Sequence, residues 1–182
     1  TSLEGFMTLL RNPTDDQNNV KEVTPTTTNL ADKNLAFGNT EDNTALPQNA
    51  NTVYNFFIGK GLLDFIAAAF VGNFWQESRL NPNAINSSSR AIGIAQWLGD
   101  RKNGLLKKSN YTDLQTQLNF VWEELNSVES NAFTIIKSST DVDQATINIR
   151  QHYERPGLSE ANDANRKRIA ALILKNPNTQ IA

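Results

Sequence analysis

Residues 65–76 read F-I-A-A-A-F-V-G-N-F-W-Q, a run with scarcely a polar side chain on any face, and no other feature constrains the fold as much. It is too short to span a bilayer, which takes about 20 apolar residues. A helix that is apolar all round has to be covered on every side, so this one belongs at the centre of a domain. Asp64 is expected to cap its start, and it should end near Arg79, ahead of the chain-turning Asn81-Pro82. The rest of the chain must then supply segments with one apolar face to enclose it.

Such segments are present on both sides. Val53, Phe56 and Phe57 stand at i, i+3 and i+4 before a stop at Gly59 and Gly61. Thr112-Asp113-Leu114-Gln115 has the form of a capping box, with Leu114, Leu118, Val121 and Leu125 following at helical spacing. Amphipathic stretches run over 131–137, 141–153 and 159–175, the last two separated by Arg155-Pro156-Gly157. Strand signals are weak, and there is no internal repeat. The expectation is a mainly α domain over 52–182, its helices ending near 175, with at most one small β-hairpin near 85–92.

Residues 12–51 differ in kind. Thr, Asn, Asp and Gln dominate, as in T-P-T-T-T-N-L and N-T-E-D-N-T, and apolar residues occur singly. Such a stretch buries too little to offset the entropy of ordering it. Residues 1–51 therefore read as a polar N-terminal arm or linker, with a short helix over 3–10, or else as irregular structure packed on the domain. The first residues lack the basic start and apolar run of a signal peptide, and Thr1 in place of Met suggests a piece of a longer chain.

A formal net charge of -2 gives no electrostatic reason to expect nucleic acid or anionic lipid as a partner. Without cysteine there are neither disulfides nor thiolate ligands, and a single histidine makes a metal site improbable by composition. No cofactor is implied. Ser78 and His152 form no triad without a third group, and Gly72 reads as a close helix contact and not as part of a phosphate loop.

Chemistry is concentrated in residues 70–97, and its centre is Glu77. This carboxyl lies in the last turn of the apolar helix, where desolvation and the negative end of the helix dipole both favour the protonated form. A carboxylic acid that keeps its proton near neutral pH is what a glycosidic oxygen needs in order to leave as an alcohol. The plain alternative is a solvated glutamate paired with Arg79 or Arg101. Trp97 either offers a face to a sugar ring or packs in the core, while Trp75 and Trp122 read as core residues.

The string Q-E-S-R-L-N-P-N-A over 76–84, followed by G-I-A-Q-W over 93–97, resembles the phage tail lysozyme family. More distantly it is similar to goose-type lysozymes and lytic transglycosylases, which share an E-S signature followed by G-x-x-Q. The likeness continues through L-G-D-R over 98–101, Y-T-D-L-Q-T-Q-L over 111–118, W-E-E-L over 122–125 and Y-E-R-P-G over 153–157. It implies a lysozyme-like catalytic domain and a glycan groove with peptidoglycan as substrate. It also implies that Glu77 is the general acid and that Gln96 and Tyr153 face the sugar, although Tyr153, at a helix end before Pro156, reads equally as a packing residue. A phage tail, or the cell wall outside the cell, is the setting it suggests, with other domains or tail proteins as partners.

Two departures from the pattern bear on mechanism. The position two after the glutamine, where goose-type relatives can carry an acid, is Leu98, and 83–92 holds no Asp or Glu. Asp100 and Glu154 remain as candidates for a second carboxylate, with Asp100 also placed among the groove residues. Ser88-Ser89-Arg90-Ala91-Ile92 stands where the family has Gly and an aromatic, which leaves one groove wall undefined. A hydrolysing muramidase, a transglycosylase that needs only one acid, and an inactive glycan-binding module all remain open at this stage.

Overall fold

The computed structural model describes residues 49–157 and 161–175. The helix expected over 3–10 and most of the polar arm lie outside them. Helix α1 (Asn49–Gly59) starts within the stretch assigned to the arm, and the Asn49 Nδ2 donates to the Leu80 carbonyl at 3.0 Å. It is followed by α2 (Asp64–Ser78), α3 (Gly99–Leu106), α4 (Leu114–Leu125), α5 (Ser130–Lys137) and α6 (Val142–Asn148). A π-helical turn, Ile149–Glu154, continues α6, and α7 is Asp163–Lys175.

Helix α2 is the central rod that its composition demands. Every residue from Ile66 to Trp75 is buried, against α1, α6, α7 and the π-helical turn. Phe57 of α1 stacks on Phe70 with ring centroids 4.1 Å apart, and Tyr153 meets the same ring edge-on. Each large side chain enclosed in this way contributes about 1.5–3 kcal/mol. Asn73 is the polar exception, and its Nδ2 donates to the Ala69 and Thr146 carbonyls, joining α2 to α6.

Local signals are shifted by a residue in places. Asp64 is the first residue of α2 and not its cap; Leu63 holds the cap position, and the Asp64 carboxylate accepts from the Phe65 N–H. At α4 the cap is Asp113, accepting from the Thr116 N–H at 2.9 Å, so the box expected from Thr112 does not form. A carboxylate accepting at a helix N-terminus also gains from the helix dipole, and a threonine hydroxyl lacks that charge. Helix α3 had no apolar periodicity to announce it. The hairpin near 85–92 is reduced to isolated antiparallel bridges, Ile85 to Ile92 and Ile92 to Trp97.

Gly72 sets how closely α7 crosses α2. A Cβ there would be driven into the backbone carbonyl of Arg166 and would press on Ala170. Backbone cannot swing aside as a flexible side chain can, so Gly72→Ala is expected to cost about 1–3 kcal/mol by overpacking. Urea unfolding of both proteins checks this; an unchanged midpoint would contradict the close crossing.

Candidate active site

The end of α2 is pinned before its last carboxyl is reached. Arg79 and Leu80 both take left-handed backbone angles, φ 57° and 58°, and turn the chain sharply out of the helix. Such angles are unfavourable for side chains with a Cβ, and they persist here because Leu80 is fully buried. The Ser78 hydroxyl donates to the Ile94 carbonyl at 2.9 Å, tying the helix end to the G-I-A-Q-W segment. The Ile94 N–H in turn donates to Gln117 Oε1, and Gly93 turns at φ 75° where a Cβ would strike Gln117 and Trp97.

Between these elements lies a cleft of about 480 Å³. Glu77 and Gln76 form one side, Gln96 and Leu98 another, and Glu154, Arg155 and Pro156 a third. Asn86, Ser88, Ser89 and Ala91 complete the wall that the sequence left undefined. Asn86 Oδ1 accepts from the N–H groups of both Ser88 and Ser89 at 2.9 Å, which shapes that loop without an aromatic. Arg90, Gln96 and Arg155, at or beside this lining, also have positive φ angles, so strained backbone gathers around the cleft. The lining is chiefly amide, hydroxyl, carboxyl and guanidinium, groups that hydrogen-bond to sugar hydroxyls and acetamido groups.

Glu77 lines this cleft, where it meets a cation from α7. Arg166 of α7, itself 1% exposed, donates to Glu77 Oε1 at 2.5 Å. The same guanidinium donates to the Asn73 Oδ1 at 3.1 Å and to the Ala161 carbonyl at 2.6 Å, so its position is fixed from three sides. An Arg150–Asp163 pair, bidentate at 2.8 and 2.9 Å, fastens the start of α7 to the π-helical turn. Arg166 thus fixes the Glu77 carboxyl at the edge of the cleft.

The second carboxyl in the cleft is Glu154, the last residue of the π-helical turn. Burial pushes its pKa well above the ordinary value, and the negative charge of Glu77 pushes further in the same direction. Arg101 and Arg166 pull the other way without reversing the outcome. Glu154 therefore holds its proton more tightly than an ordinary carboxyl does.

Of the groove candidates named from the sequence, Glu77 and Gln96 line the cleft, and Trp97, Tyr153 and Asp100 lie elsewhere. Trp97 is 1% exposed, with its Nε1–H donating to Glu124 Oε2 at 3.0 Å and its ring edge-on to Phe120, so no face is open to a sugar. Tyr153 is wholly buried, and its hydroxyl donates to the same Glu124 oxygen at 2.7 Å. Burial raises its pKa well above the usual tyrosine value, with the Glu124 charge adding to the effect, and it stays a neutral donor. Asp100 is exposed in the first turn of α3, outside the cleft lining.

The residue that collects these side chains is Glu124, 4% exposed. Besides Trp97 and Tyr153 it takes a bidentate pair from Arg101, Nε at 2.7 Å and Nη2 at 2.8 Å. Burial would lower the Arg101 pKa, but its hydrogen bond to Glu124 and the carboxylate charge hold the guanidinium above its usual value. Arg101 also donates to the Tyr153 carbonyl at 3.0 Å and lies over the Tyr153 ring. This network stands behind the cleft and holds the G-I-A-Q-W segment, α3 and the π-helical turn to α4.

Sequence reasoning missed Arg166 and Glu124 alike, and both carried the same signal. Arg166 shares its helix face with Ile169, Ala170 and Ile173, and Glu124 shares one with Gln117, Val121 and Leu125. A charge on the apolar face of an amphipathic helix is buried with a partner or not at all.

Among the described residues no group of His, Asp and Glu is arranged to hold a metal ion, and no helix is long and apolar enough to cross a membrane. A family model described as phage tail lysozyme matches residues 48–176. No curated protein and no solved structure matches the chain.

Proposed function

The chain belongs to the phage tail lysozyme family, and on that premise we propose that it is a muramidase: it hydrolyses the bond between N-acetylmuramic acid and N-acetylglucosamine in bacterial peptidoglycan, with Glu77 as general acid. The observation that carries this reading is the placement of Glu77 in a polar cleft with a second carboxyl, Glu154, and a buried cation, Arg166. In the chemistry proposed, Glu77 protonates the glycosidic oxygen, the bond from that oxygen to the anomeric carbon breaks, and the leaving sugar departs as an alcohol. Negative charge left on the carboxylates stabilises the oxocarbenium-like centre electrostatically. Water then adds to the anomeric carbon and returns a proton to the site, so the enzyme ends as it began. Gln96 and the Asn86–Ser89 wall serve to position the glycan. A phage tail bringing this domain to the cell wall is the setting the family suggests.

Product analysis tests the hydrolytic step. Mass spectrometry of digested peptidoglycan is expected to show new reducing ends that carry the elements of water. Exclusively anhydro-muramic ends would replace hydrolysis with attack by the substrate's own 6-hydroxyl.

A further inference from the structure

We propose that Glu154 shares with Glu77 the single proton that Glu77 delivers to the substrate, acting as a positioning residue that keeps that proton available at neutral pH. The inference rests on the reading of Glu77 as the acid. Glu154 is a half-buried side chain on the cleft wall, and its Oε1 is shut off from solvent with no hydrogen-bond partner among the described residues. A carboxylate oxygen left in that state is costly, whereas a carboxyl that holds or hands on a proton tolerates it better. The π-helical turn is the device that sets it there. The Arg155 N–H bonds to the Arg150 carbonyl at 2.8 Å, five residues back, which buries Tyr153 and puts the next residue on the cleft.

Charge explains why one proton serves two groups. The groups that act on Glu154 are Glu77 from α2, Arg101 from α3, Glu124 from α4 and Arg166 from α7. On its own turn, Arg155 is engaged by Glu129 in a bidentate pair at 2.6 and 2.9 Å. Glu124 is likewise engaged by Arg101, while Glu77 and Glu154 line one cleft together with Arg166. Removing the last proton leaves two carboxylates in one cleft, each opposing the charge of the other, so that proton is retained to higher pH than either acid would keep it alone. In the catalytic cycle it moves to the glycosidic oxygen as the bond to the anomeric carbon breaks, and a proton from the attacking water replaces it.

The test is the pH dependence of initial rates at low substrate, measured on a purified peptidoglycan suspension for wild type, E154Q, E154D and E77Q. Glutamine at 154 carries no charge and no exchangeable acid proton, so Glu77 loses its own proton at lower pH. The alkaline limb of the E154Q profile is expected to move acidward by about one pH unit or more, and E154D should bring it back towards the wild-type position. An E154Q profile that overlays wild type, or is only scaled down at every pH, overturns the proposal. Activity in E77Q would instead overturn the assignment of the acid itself. Should E154Q fail to fold, a carboxyl-carbon NMR titration of wild type and E77Q decides the matter. Glu154 is expected to titrate lower once the charge of Glu77 is gone, and an unchanged titration sinks the proposal.

Discussion

Glu77→Gln is expected to lower the rate of peptidoglycan cleavage by about 10²–10⁴-fold, the usual contribution of a positioned general acid. Glutamine preserves the shape and one acceptor oxygen for Arg166, yet it has no proton to give. The loss should therefore fall mainly on kcat, with binding of glycan fragments to the cleft retained. The variant also leaves Arg166 without its anionic partner, although Asn73 and Ala161 still accept from that guanidinium. A stability loss of about 1–3 kcal/mol is expected from that source, so circular dichroism must accompany the assay. Equal clearing of a cell-wall suspension by folded wild type and folded variant would remove Glu77 from the chemistry and favour a glycan-binding module.

Glu124→Ala is expected to produce the largest loss of stability of any single change at the site's support. Removing this side chain strips Arg101 of its bidentate partner and leaves the Trp97 Nε1–H and the Tyr153 hydroxyl without the acceptor they share. Breaking a buried ion pair from one side costs about 3–5 kcal/mol. Arg101 is 21% exposed and can recover some hydration, which places the outcome towards the lower end of that range. Against a typical total of about 5–15 kcal/mol, this is a severe change. Urea unfolding measures it, with Glu124→Gln as the milder control that keeps one acceptor. A loss below about 1 kcal/mol would mean that the network contributes no more than a surface ion pair. Activity is expected to fall as well, because the G-I-A-Q-W segment and the π-helical turn are both held to α4 through this carboxylate.

The two charged residues missed along the chain show where a reading by pattern stops. Arg166 was visible as a cation on an apolar face and Glu124 as an anion on another, but neither helix names its partner. Glu77 and Arg166 are brought together only when α7 crosses α2 at Gly72, and Glu124 finds Arg101 only when α3 forms. For two aromatic residues, packing decided what pattern had left open. Trp97 and Tyr153 belong to motifs resembling those of glycan-cleaving families, and both serve behind the cleft by donating to one buried carboxylate.

What the chain determined locally is the apolar rod of α2, its abrupt end beyond Glu77, the apolar faces that enclose it and the family to which these motifs belong. Those features depend on helical period and turn residues, which act over a few positions and can be read in order. Tertiary structure alone decided that Arg166 faces Glu77, that Glu154 joins them, and that Trp97 and Tyr153 are withdrawn from the groove. Charge pairing and burial act through space between residues distant along the chain, so a side chain's protonation and exposure are set by neighbours that only the folded packing supplies.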